Sequence, residues 1–134
     1  MPQLQLDHVA VAVRSIKAAL PLYRDALGGE YLMGGDADGS WRWVQLRFPG
    51  GGKVELLEPL EEGFLTRFLE RYGEGLHHIT FKTDDIREAV EEVERRLLVA
   101  TLDHHRGDKQ RTAQILGIGL RSLYRKVKQY EIGA

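Results

Sequence analysis

Residues 85–105 read DIREAVEEVERRLLVATLDHH, and the fold of the chain turns on how they are read. Asp85 followed three positions later by Glu88 has the form of an N-cap answered by a first-turn carboxylate, which satisfies orphan amides and complements the positive end of the helix dipole. Apolar side chains then recur at Ile86, Ala89, Val90, Val93, Leu97, Ala100 and Thr101, widened by Leu98 and Leu102, and neither glycine nor proline intervenes before Gly107. One helix about 30 Å long is expected to run through. Its polar face is acidic at Glu88, Glu91, Glu92 and Glu94, whereas the chain beyond Leu98 turns basic. The rod joins two pieces of different character.

Charge divides the same way. Residues 1–97 hold 12 Lys and Arg against 17 Asp and Glu, a net −5; residues 98–134 hold 7 against 3, a net +4, so the whole chain carries −1. A basic tail on an acidic body points to a polyanion contact confined to the tail, the alternative being an ordinary solvated surface. With 134 residues and 43% hydrophobic content, the chain can bury one modest core, or one core with a small helical appendage. The absence of cysteine excludes disulfides, thiolate ligands and a cysteine nucleophile, and suits a reducing compartment. No apolar run nears the roughly 18 residues of a membrane span, and the N-terminus lacks a basic-then-apolar signal pattern. A cytoplasmic protein with no membrane partner is expected.

Upstream of the long helix, LQLDHVAVAV over residues 4–13 predicts a strand with His8 near its start. Ser15 caps a predicted helix over 16–27, kinked at Pro21 and stopped by Gly28 and Gly29. Three strands follow at 30–33, 41–48 and 53–58, separated by the turn-forming runs GGDADGS and PGGG. After Pro59, FLTRFLERY at 64–72 predicts a short amphipathic helix, and LHHITFKT at 76–83 a further strand. Strand alternation should turn His77 away from His78. The β-α opening thus repeats, HVAVAV echoed by HHITFK, and the echo is cut off when helix, turn and helix follow Leu98. The expected class is α+β, a βαβββ module plus a partial βα repeat. Its domains are residues 1–97 and 98–134, sharing the helix 85–105.

LDHVAVAV, ALPLYRDALGG, KVELLEPL and GLHHITFKTDDI occur in that order in residues 1–97, which resemble the vicinal oxygen chelate superfamily and within it the methylmalonyl-CoA epimerases. The resemblance implies a truncated vicinal oxygen chelate fold, in which modules curve around a divalent ion. Carried over by position, the ligands are His8, Glu55 and His78, and the family's fourth ligand, a carboxylate on an eighth strand, has no counterpart. Two imidazoles and a carboxylate are a familiar metal set, in which Co, Mn, Zn and Ni are not distinguishable. Because epimerisation beside a thioester needs a base on each face of the carbon as well as the ion, no catalytic residue is assigned. A cup left half-built should expose Trp41, Trp43 and Val44 until the tail, or a second copy in a homodimer, covers them.

Residues 109–132 read KQRTAQILGIGLRSLYRKVKQYEI, with Ala113, Ile115, Leu116, Ile118, Leu123 and Val127 as apolar anchors and Gly117 at a tight turn between two short helices. Together with the preceding ERRLLVATLDHH, residues 94–132 resemble the Fis-type helix-turn-helix of nitrogen-regulator-type enhancer-binding proteins. That resemblance implies a two-fold dimer on double-stranded DNA, with the helix over about 120–130 in the major groove. Arg121 and Ser122 are the implied base contacts, Arg125, Lys126 and Lys128 the phosphate contacts, and Lys109 and Thr112 backbone contacts from the first helix. Gly119 and Leu120 depart from the pattern, where a polar cap and a basic residue are usual.

Three readings follow. The chain is a DNA-binding, transcription-regulator-like protein whose body dimerises or senses a small-molecule ligand or metal; or a metal-dependent isomerase or lyase of the methylmalonyl-CoA epimerase type; or an engineered chimera without selected activity, joined where both parent patterns are satisfied. The helix-turn-helix is the more complete of the two pieces, which favours the first.

Overall fold

In the computed structural model, which describes residues 2–133, the chain is mixed α and β. Contacts divide it into two compact units: Gln5–Lys82, and the chain from Thr83 onward together with the residues before Gln5. The division falls before the long helix rather than at residue 97. The helix expected to be shared therefore lies whole in the second unit.

The first unit is built on a sheet of five strands among the described residues, in the order β2-β3-β4-β1-β5. These are β1 (Leu4–Ala12), β2 (Glu30–Ala37), β3 (Trp41–Arg47), β4 (Lys53–Pro59) and β5 (Gly75–Thr83). β1 runs parallel to β4 with Ala10 opposite Glu55, β3 runs antiparallel to β4 with Gln45 opposite Glu55, and β5 lies at one edge beside β1. β2 continues four residues past the expected stop at Met33. Gly34 and Gly35, read as part of a turn, belong to the strand because a Cβ at Gly34 would sit 2.7 Å from the Trp43 carbonyl oxygen, so the close β2–β3 approach needs glycine there. The reversal is left to Asp38 and Gly39, both at positive φ, inside a turn closed by Ser40 N–H donating to the Ala37 carbonyl at 2.9 Å.

Helix α1 (Ile16–Leu20) starts at Ser15, whose hydroxyl accepts from Ala18 N–H. From Pro21 to Ala26 it continues as a π-helix, since proline has no amide proton to keep the i→i−4 ladder; Leu27 N–H donates instead to the Leu22 carbonyl at 3.0 Å. The expected kink is thus a change of helical register. Helix α2 (Phe64–Tyr72) lies where the periodicity placed it.

Alternation along the strands makes two apolar layers. Ala10, Ala12 and Leu57 pack with Leu65 and Leu69 of α2, joined by Trp41, Trp43 and Phe68. On the other face Val13, Ile16, Leu46 and Leu56 pack with Val44, Tyr23 and Phe48. This corrects one expectation: α2 already covers Trp41 and Trp43, and Val44 faces the opposite layer because it is one residue out of phase with them. Leu76, Ile79 and Phe81 of β5, by contrast, are each more than half exposed.

The second unit holds α3 (Ile86–His104), α4 (Lys109–Leu116) and α5 (Leu120–Gln129). Asp85 caps α3 by accepting from Glu88 N–H at 3.0 Å, as expected, and Asp108 caps α4 through Arg111 N–H at 2.9 Å. Gly117, at φ 65°, ends α4 in the left-handed conformation. Leu98, Ala113 and Leu123 form the core, with Leu116, Ile118 and Val127 against it. Ile115 is not a core anchor: two residues from Ala113 it lies on the far side of a short helix, 54% exposed. The stripe on α3 also divides, for Leu98 and Leu102 are buried while Ile86, Val90, Val93 and Leu97 are each more than half exposed.

Candidate metal centre and nucleic-acid interface

His8, Glu55 and His78 come together at the β5 side of the sheet, each offering a ligand atom within 4.8 Å of the other two. The register explains the meeting. His8 and Ala10 share a face of β1, Ala10 stands opposite Glu55, and β5 is the next strand beyond β1. His8 is 9% exposed, its Nε2 lies 3.7 Å from Glu55 Oε1, and its ring is 5.9 Å from that of His78. Two atoms bound to one ion at about 2.0–2.2 Å lie at most about 4.4 Å apart, so this set fits a divalent cation after closing by a few tenths of an ångström.

Groups that the sequence reading passed over hold these side chains. Asp7 Oδ2 lies 2.7 Å from His8 Nδ1, Thr80 Oγ1 lies 3.2 Å from His8 Nε2, and Gln45 Nε2 donates to Glu55 Oε2 at 2.7 Å. Lys53 and Lys82, each with Nζ 2.7 Å from Asp7 Oδ1, and then His8, hold the Asp7 carboxyl far below the usual carboxylate range. Only the position of Asp7, directly before His8, was a signal in the sequence; Gln45 and Thr80 depend on cross-strand register. His77 does not turn clear of His78 as alternation predicts. Their Nδ1 atoms are 2.8 Å apart, and the His77 ring packs on Phe68, with centroids 4.8 Å apart. Burial, and secondarily His78, depresses its basicity below the usual imidazole range, in keeping with a structural residue.

In the helical unit the basic residues separate into those that face solvent and those already engaged. Arg121, Arg125 and Lys128 of α5 are exposed. Their spacing of four and then three keeps them on one face. Tyr124, three residues after Arg121 and 54% exposed, belongs to that face, a placement the spacing alone would have given. Lys109 is half-buried with its Nζ 5.9 Å from the Tyr124 ring centre, and Ser122 is half-buried. Lys126 instead binds Glu94 of α3 at 2.5 Å. Thr112 is fully buried beside Ala113 and has no surface to offer a phosphate, which corrects its expected role. α5 begins at Gly119 without a side-chain cap.

Comparison with known proteins accounts for both pieces. A hypothetical protein from Bacillus halodurans C-125, of known structure, is 36% identical, with a TM-score of 0.64 over 70% of this chain and 69% of that one. The ethylmalonyl-CoA/methylmalonyl-CoA epimerase of Cereibacter sphaeroides is 40% identical over 86 residues, 61% of this chain and 63% of that protein. Methylmalonyl-CoA epimerase from Mycobacterium tuberculosis superposes with a TM-score of 0.61 at 26% identity, covering 68% of this chain and 63% of that one. The front of the chain is similar to methylmalonyl-CoA epimerase-like proteins of the vicinal oxygen chelate fold. The model of the Fis family of bacterial regulatory proteins matches residues 89–130, which take in most of α3, all of α4 and α5. The epimerase-like piece is partial: the chain spans less than two thirds of the length of the curated relatives it matches. No helix among the described residues is long and apolar enough to cross a membrane.

Proposed function

We propose that this chain binds double-stranded DNA through α5, and that its epimerase-like unit serves as a metal- or ligand-responsive body. One observation carries the reading: the helix-turn-helix has its own core of Leu98, Ala113 and Leu123 and turns Arg121, Arg125 and Lys128 outward on a single helical face. Arg121, with Ser122 beside it, is the base-reading candidate near the start of α5; Arg125, Lys128 and Lys109 hold phosphates. Lys126 supports this from behind by tying α5 to α3 through Glu94. About three phosphate contacts per copy give a log–log slope of affinity against salt of about −2.7 per copy. Replacing Arg121 and Arg125 together by alanine should abolish duplex binding in a gel shift while leaving the thermal midpoint within about 2 °C. Retained binding in that variant would reject the contact face.

The protein acts as a homodimer in this reading. Ile86, Val90, Val93 and Leu97 recur at spacings of four, three and four and are all exposed, as a helix seam awaiting a second copy would be. A two-fold dimer would set its recognition helices about 34 Å apart, one turn of duplex.

The convergence of His8, Glu55 and His78 favours a second activity, capture of a divalent cation; an ion held by these three residues would supply Lewis acidity toward a carbonyl oxygen of a small acyl ligand. Turnover of the methylmalonyl-CoA epimerase kind is the alternative function. It is tested by metal analysis and an epimerase assay.

A further inference from the structure

We infer that Asp7 and Gln45 are positioning residues that set the donor atoms of the His8–Glu55–His78 cluster: Asp7 fixes the His8 ring in its Nδ1–H form, and Gln45 aims one oxygen of Glu55. The inference rests on the ion reading above for its purpose but on hydrogen bonds for its substance.

An imidazole offers a lone pair from one nitrogen only if its proton is held at the other. Asp7 Oδ2 lies 2.7 Å from His8 Nδ1, a distance at which a carboxylate must accept a proton, because two facing lone pairs would repel. Nδ1 therefore carries hydrogen, and Nε2 presents its lone pair toward Glu55 Oε1 at 3.7 Å. At 3.2 Å from that nitrogen, the Thr80 hydroxyl is left as donor, occupying the lone pair until something stronger claims it. The lysines complete the arrangement from the other end. Lys53 and Lys82 both bind Oδ1 of Asp7, which leaves Oδ2 for the imidazole and holds the carboxylate plane between the two strands that flank β1. Glu55 is treated in the same manner. Gln45, 7% exposed and directly opposite it in the register, donates to Oε2 and leaves Oε1 to the cluster. His8 and Glu55 thus each have one polar atom held by a neighbour and one free for the centre, the relation that orients ligands at metal sites.

The test reads protons first and ions second. Long-range proton–nitrogen spectra of the full chain, at about pH 8 and without added metal, should show His8 protonated at Nδ1 with a bare Nε2 in the wild type. Asp7→Asn should shift that ring toward the Nε2–H form. Calorimetric titration with cobalt should then show affinity about 10- to 100-fold weaker in Asp7→Asn, and similarly in Gln45→Met, where the His8 signature stays unchanged. A wild-type His8 protonated at Nε2 would overturn the role of Asp7 without any variant, and variants that bind cobalt as tightly as the wild type would overturn the positioning roles. If wild-type protein takes up no cobalt while His8 keeps the Nδ1–H form, the ion reading falls and the Asp7 contact stands.

Discussion

Thr112 is buried completely, and its Oγ1 has no hydrogen-bond partner among the described residues. A hydroxyl deprived of water in this way costs roughly 1–3 kcal/mol, a cost that valine of nearly the same shape avoids. Thr112→Val should therefore stabilise the protein by about 1 kcal/mol in a denaturant titration; a loss of stability would reveal a partner for the hydroxyl. The same residue shows where sequence reading failed. A polar side chain in a short helix was assigned to the surface, although one turn of helix decides between surface and core and only the packing of Ala113 and Leu123 settles which. Asp7, Gln45 and Tyr124 were missed for a related reason. Their roles come from the neighbour each one touches, next along the chain for Asp7, across a strand for Gln45 and a turn away on a helix for Tyr124, not from the residue type.

Among elements, α3 and α5 are tied by Glu94, which accepts from Lys126 at one oxygen and from the Tyr130 hydroxyl at the other. Lys126, then Tyr130, holds the Glu94 carboxyl below its usual range, and Glu94 pushes the Tyr130 phenol up to about 12. The signs are opposite. A depressed carboxyl contributes stability above its unfolded range and loses it as pH falls through the lowered value; a raised phenol contributes fully below about pH 10 and loses its contribution as pH rises toward 12. Glu94→Gln should flatten both limbs of stability against pH, below about pH 4.5 and above about pH 10, with little change between. Wild-type limbs in the variant would assign the dependence elsewhere. The elements themselves were largely legible: caps at Ser15 and Asp85, the turn at Gly117 and the strand alternation announced them. β2 was cut short because paired glycines read as a turn when nothing shows the strand they approach.

For the whole molecule, the exposed stripe on α3 is where the proposed dimer is tested. Val90→Glu with Val93→Glu places charge on two exposed positions, so the fold should be kept while a dimer is broken. Sedimentation should then report a monomer where the wild type is a dimer, and duplex affinity should fall by about 100-fold with the loss of avidity. A wild-type protein that sediments as a monomer would sink the two-fold model. The sequence showed a resemblance to two families in this chain, since the motifs of each stay together. It could not show that the units divide at Lys82 rather than at residue 97. That boundary follows from which face of α3 finds a core, and the stripe was wide enough to serve either.

β5 closes the sheet on one side with Leu76, Ile79 and Phe81 bare, nine residues without proline and with one lysine as their sole formal charge. A flank so poorly guarded is a ready template for fibril growth on storage or heating. Ile79→Lys should lengthen the lag before thioflavin fluorescence rises, and an unaltered lag would locate the nucleus in another segment.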